Sequence, residues 1–313
     1  PHGVKRERAE GEEEAMDCES VDVNKVGPAI ISWICEIRED MDQQEELEKQ
    51  AWGFTEDHVN GGTLNMKDVN TARKEEVGYM QSRNIWTLRP IQESWDKTGK
   101  GPVSTRWVDT DKGTPEKELI RSRLVARDFK GEDKHRDDLF AETPPLEAKR
   151  MLISRAATYT KDGRKRKLMF IDAKKAHINP LCDQDVYVQL PEEAGCPEGF
   201  CGKLVHWLYG FRPAAAAWEK MYSGYMVEAG FEKGDACGVV FYHKDRDISC
   251  VVHGDDFTLC GLDEDLQWIR DLMQGWFEIK VRAILRSDPK DDKEVVILGR
   301  IVRWTTNGIE YEA

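Results

Sequence analysis

Asp255 and Asp256 stand side by side in SCVVHGDDFTLCG, between two short apolar runs and directly after Gly254. A turn between two strands welcomes a glycine and one aspartate, because both tolerate unusual backbone angles. Two adjacent carboxylates are a different matter, since they repel unless a cation lies between them or one takes up a proton. A divalent metal is the chemistry that would use such a pair. A third carboxylate is available in Asp172, which ends the apolar run KLMFIDA at residues 167–173. Three carboxylates without a histidine or cysteine partner suit Mg²⁺, a hard cation that takes oxygen ligands and completes its shell with water and substrate phosphates. Two such ions roughly 3.5–4 Å apart can serve the attacking and the leaving oxygen of an in-line phosphoryl displacement. Mn²⁺ could take the same place.

The elements that must bring these residues together are readable from the hydrophobic pattern. KLMFIDA predicts a buried strand, and residues 214–229 place Trp218, Met221, Tyr222, Tyr225 and Met226 at helical spacing. VVFYHKD, ISCVVH and FTLCGL predict three short strands, followed by a helix with Leu266, Ile269, Leu272 and Met273 on one face and a last strand, VVILGRIV. Strand, helix, strand pair, helix, strand is the split β-α-β-β-α-β order, an α+β fold with helices on one face of an antiparallel sheet. In that order the first strand lies beside the hairpin, so Asp172 reaches Asp255 and Asp256. Upstream, STRWVDTDK and LIRSRLVARDF predict a hairpin around Gly113-Thr114-Pro115, and Thr143-Pro144-Pro145 opens a helix.

Charge is placed unevenly. The net charge is −13 over 313 residues, and residues 1–60 hold 17 acidic against 6 basic side chains. That stretch has little periodic apolar surface and predicts disorder, with one short helix near residues 30–49. Residues 117–167 reverse the balance, 15 basic against 9 acidic, enough to follow a phosphate backbone or to be a solvated mixed-charge face. The 8 cysteines show no paired C-x-x-C spacing, which predicts reduced thiols in an intracellular protein without zinc. VGPAIISWICEI is too short to span a bilayer, so no membrane partner is expected. The start at Pro1 without methionine and the end at Ala313 fit a piece of a longer polyprotein.

Taken in order, the motifs resemble the reverse transcriptase region of copia-type retrotransposon polyproteins. RSRLVARDF at Arg121 is similar to that family's fingers motif, FIDAKKAHIN at Phe170 to its first catalytic strand, and VYVQLPEE at Val186 to the segment after it. LYGFRPAAAAW at Leu208, VVHGDDF at Val251 and ILGR at Ile297 resemble three further blocks of the same series. The resemblance implies right-hand polymerase fingers and palm: an acidic segment at 1–63, a fingers-like region at 64–166 and a palm at 167–313. It implies RNA-directed DNA synthesis, with Asp172 and Asp255 binding two metal ions and Asp256 supporting them. Arg121 or Arg123 is implied to contact the deoxynucleoside triphosphate, both being candidates for nucleotide binding, and the partners are an RNA or DNA template with its primer. His177 stands where the family's sugar-sensing aromatic stands, and Lys280 is a candidate proton donor. The sequence departs from the family at Pro213, in place of a glutamine, at Ala216, in place of an arginine, and at His253-Gly254, in place of Tyr-Val. Those departures leave open a decayed or co-opted copy that only binds nucleic acid. A metal-dependent nuclease would need a further acidic cluster with a base, and none is visible.

Overall fold

The computed structural model describes residues 54–312 apart from 115, 129–140 and 287. The acidic segment before residue 54, with its expected helix, lies outside the described residues, as does Phe129 of the fingers motif.

At the centre is a six-stranded antiparallel sheet. In sequence order its strands are β6 (Lys167–Ala173), β9 (Glu232–Lys233), β10 (Val240–His243), β11 (Ile248–His253), β12 (Asp256–Gly261) and β13 (Ile279–Leu285), and across the sheet they run β13-β6-β12-β11-β10-β9. β6 is fully flanked on both sides, which is why KLMFIDA is apolar at nearly every position instead of alternating. Met169, Ile171, Phe257 and Leu259 face helices α4 (Pro213–Glu228) and α5 (Asp263–Trp276), which contribute Trp218, Tyr222, Met226, Leu266, Ile269 and Met273 to one core. Leu168, Phe170 and Cys260 point the other way, onto helix α3 (Leu146–Ala156) and a small separate sheet.

That small sheet corrects one expectation. VVILGRIV does not form the last strand of the central sheet. It folds into strands β14 (Glu294–Ile297) and β15 (Arg300–Thr305), which pair with each other and with β16 (Gly308–Glu312). Leu298 and Gly299 both take positive φ, 50° and 73°, so the ILGR block is a tight turn. The fourth strand beside β6 is instead IKVRAIL, β13, with a bulge between Val281 and Ala283. Helix α4 begins with Pro213 at its first turn, where the missing N–H would have had no helical partner.

A second core is built on helix α1 (Met66–Ser82) and the hairpin of β4 (Thr105–Asp111) and β5 (Ile120–Ala126), with Trp107, Leu124, Trp207 and Phe211 packed inside. Arg73 of α1 and Asp109 of β4 form a buried ion pair at 2.6 Å. Residues 54–63, counted with the acidic segment on sequence, contain strand β1 (Phe54–Glu56), paired with β2 (Thr63–Asn65). Among the described residues no helix is long and apolar enough to cross a membrane.

Candidate active site

The hairpin that carries the aspartate pair turns on Gly254, with φ at 62°, and Asp255. A positive φ at the first central residue only is the two-residue turn that suits the right-handed twist of its strands. The turn is tied down twice: Trp218 Nε1 donates to the Gly254 carbonyl at 2.9 Å, and the Ala173 N–H donates to the Asp255 carbonyl at 2.8 Å. Trp218 is itself fixed in the core, 4.7 Å from the Phe277 ring in an edge contact. A side chain that the helical spacing marked only as core therefore anchors the turn. The exchange of Tyr-Val for His253-Gly254 is what gives the turn its glycine.

Asp256 opens β12 directly opposite Asp172 on β6, and Lys280 on β13 stands opposite Asp172 on its other side. The two carboxylates share a sheet face, as the topology predicted. Asp172 is half-buried, Asp255 exposed and Asp256 buried. Burial pushes the Asp256 carboxyl above the usual carboxylate range, and Asp255 and Asp172 push the same way, against the downward pull of Arg282 and Lys149. Its Oδ1 makes no hydrogen bond. The opposing cation is Arg282, which donates from Nη2 to Asp172 Oδ2 at 2.5 Å and places Nη1 3.5 Å from Asp256 Oδ1.

Asp172, Asp255, Arg121, Lys174, Lys175, Lys280 and Arg282 line one cavity of about 330 Å³. Lys174 is paired with Glu278 and Lys175 with Glu76, whereas the side chains of Arg121 and Lys280 make no hydrogen bond or ion pair among the described residues. Of the three aspartates expected as one ligand set, Asp172 and Asp255 are in the cavity wall and Asp256 is not. Among the described residues no three His, Cys, Asp or Glu side chains form a group able to hold a metal ion. Asp172 and Asp255 line the cavity, while Asp256 is buried opposite Asp172 on the same sheet face.

Arg123 is not in the cavity wall. It is half-buried, and burial together with neighbouring Arg121 holds its guanidinium below the ordinary value, against Tyr209, Glu76 and Asp255. His177 lies in a short 3₁₀ turn, Ala176–Ile178, with its ring 6.0 Å from that of Tyr209. Burial pushes the imidazole down, more than Asp255 pulls it up, so it favours the neutral form. Two cations were missed on sequence. Arg282 follows Lys280 at a strand spacing that could have flagged it, but the bulge that aims it has no sequence signature. Lys149, in the apolar face of α3, is 7% exposed and its Nζ has no hydrogen-bond partner. A lysine in the middle of LEAKRMLI was the available signal.

A family model described as reverse transcriptase (RNA-dependent DNA polymerase) matches residues 88–286, from β3 (Trp86–Pro90) to just past β13. It takes in the site and stops before the ILGR turn. Among solved structures, apo telomerase from Candida tropicalis, truncated from its C-terminal domain, aligns at 9% identity and a TM-score of 0.41, over 83% of this chain and 63% of that one. Telomerase from Candida albicans with the TWJ fragment of telomeric RNA aligns at 9% identity and a TM-score of 0.43, over 80% of this chain and 51% of that one. The chain thus spans less than two thirds of the length of either telomerase. With more than half of its residues inside the family match, and with motifs whose copia-type resemblance fits it, the chain belongs to the reverse transcriptase (RNA-dependent DNA polymerase) family.

Proposed function

We propose that this chain is the reverse transcriptase region of a copia-type retrotransposon polyprotein, performing template-directed DNA synthesis from deoxynucleoside triphosphates inside the cell, with β6, β10–β13, α4 and α5 as the palm. The observation that carries the proposal is the single cavity in which two carboxylates, Asp172 and Asp255, face two unpaired cations, Arg121 and Lys280. The donor set fits Mg²⁺ or Mn²⁺, because Mg²⁺ is commonly held by one or two carboxylates and completed by water and phosphate oxygens. Asp256, buried opposite Asp172 and 3.5 Å from Arg282, would support the site from the adjacent strand. When bound, the two ions supply positive charge at the attacking and leaving oxygens of the displacement.

The chain's own residues do the rest. Arg121 reaches the cavity from β5 and suits an incoming triphosphate, while half-buried Arg123 lies on the same strand outside the cavity wall. Lys280 pairs opposite Asp172 across the ladder and lines the cavity, and would give a proton to a departing pyrophosphate. Neutral His177, braced by Tyr209, takes the position next to the sugar. The basic stretch at 117–167 offers the phosphate track for template and primer. A second reading, a copy that binds nucleic acid without polymerising, is favoured by Pro213 and Ala216, where α4 presents no polar side chain.

The test is extension of a primed RNA template with Mg²⁺ or Mn²⁺ by the wild type, Asp172→Asn and Asp255→Asn. Extension by the wild type alone is the expected result. Extension that persists in both variants overturns the site, and none by the wild type with retained template binding supports the second reading.

A further inference from the structure

We infer that Arg282 is the resident counter-cation of the carboxylate site and that a divalent metal binds by exchanging with it. This rests on reading Asp172 and its neighbours as the metal-holding groups.

Asp172 and Asp256 stand opposite each other on adjacent strands and would repel across the ladder. Arg282 is the residue left without a partner by the β13 bulge, and its guanidinium bridges the two, 2.5 Å from Asp172 Oδ2 and 3.5 Å from Asp256 Oδ1. A bulge is a common device for re-aiming a side chain beside a site. The guanidinium engages the oxygen lone pairs that a cation would need, and two cations cannot share them at contact distance without strong repulsion. Occupancy by one therefore excludes the other.

The arginine is also free to leave. Its side chain is 35% exposed and forms part of the cavity wall, so withdrawal unpacks no core. The contrast is Arg73, 6% exposed on fully buried Asp109, where the pair is locked into the packing. A released Arg282 guanidinium would join Arg121 and Lys280 as a third unpaired cation facing the cavity, raising its attraction for a polyphosphate. Metal and polyphosphate would then strengthen each other's binding, since such coupling is reciprocal.

The test measures Mn²⁺ binding directly, by calorimetry on the full chain without nucleotide or template, for the wild type, Arg282→Gln, Arg282→Lys and Asp172→Asn. Exchange predicts that Arg282→Gln binds Mn²⁺ roughly fivefold tighter, the order expected on losing a partly exposed competing ion pair. Arg282→Lys, which keeps the charge but loses the two-pronged geometry, should shift the same way by less and covers the case of a poorly folded glutamine variant. Asp172→Asn should abolish the binding. Unchanged or weaker Mn²⁺ binding in both Arg282 variants, with binding still lost in Asp172→Asn, overturns the exchange and leaves the metal site standing. Mn²⁺ binding that survives in Asp172→Asn overturns both.

Discussion

Lys149→Met should make this protein more stable. Lys149 projects from α3 into the layer between that helix and the central sheet, 7% exposed, and its Nζ finds no hydrogen bond. A buried polar group left unsatisfied costs about 1–3 kcal/mol. Methionine has nearly the same length and fills the same channel without an amine. One effect opposes the gain, because Lys149 helps to hold Asp256 ionised. That loss is the smaller, since Arg282 exerts the greater pull on Asp256 and remains in place. The net expectation is a gain of about 1–2 kcal/mol near pH 7. The pH dependence has a definite sign. Burial pushes the Lys149 ammonium below its ordinary 10.5, so between the depressed value and 10.5 the unfolded chain binds more protons than the folded one. Wild-type stability should therefore rise with pH through that window, and the advantage of Lys149→Met should shrink. Urea unfolding of both proteins at about pH 7 and about pH 10 measures this, with the slope of unfolding as the check on a common unfolded state. A variant less stable than wild type by more than about 0.5 kcal/mol near pH 7, or an advantage that grows with pH, refutes the reasoning and means that the ammonium is satisfied where it lies.

Trp218→Phe keeps an aromatic ring but removes the donor to the Gly254 carbonyl and leaves a gap, so it should cost about 2–3 kcal/mol in urea melts. The Asp255 turn loses its anchor at the same time, and Mn²⁺ affinity should fall; a cost below about 0.5 kcal/mol would show that the turn holds itself. Gly210→Ala should destabilise by more than about 2 kcal/mol, because φ is 88° there and the new Cβ would meet the Ala126 carbonyl oxygen at 2.2 Å. Near-wild-type melting of that variant would refute the backbone constraint.

The strands that carry the carboxylates were legible because their apolar runs are long and end sharply in aspartate or glycine. KLMFIDA and the two runs around HGDD needed only the order of elements to place Asp172 opposite Asp256. The last strand was misread for a physical reason. VVILGRIV is rich in β-branched residues on both sides of a turn that glycine and one strained leucine make possible, and it reads as one strand unless the turn is seen. IKVRAIL, which does flank β6, alternates with charges and looks weaker than it is. The site was legible as a set of residue types but not as a geometry: nothing in the sequence shows that Asp256 is buried outside the cavity wall, that Arg123 stays out of the cavity, or that a bulge brings Arg282 between the carboxylates.

The central sheet has two edges, β13 and β9, and an open edge is a template on which another chain can add a strand. β9 is only two residues long and exposes Glu232 and Lys233, so it offers little to pair with. β13 runs seven residues, Ile279–Leu285, and its far end is already covered, since the Ile284 N–H donates to Asp292 Oδ2 and the Asp292 N–H to the Ile284 carbonyl, both at 2.9 Å. The near end is protected by the bulge after Val281, which breaks the spacing an added strand would need, and by Lys280 and Arg282, whose charges a neighbouring strand would have to accommodate. The two cations that crowd Asp172 thus also keep the sheet from growing, and a variant that neutralises both would lose solubility along with its electrostatics.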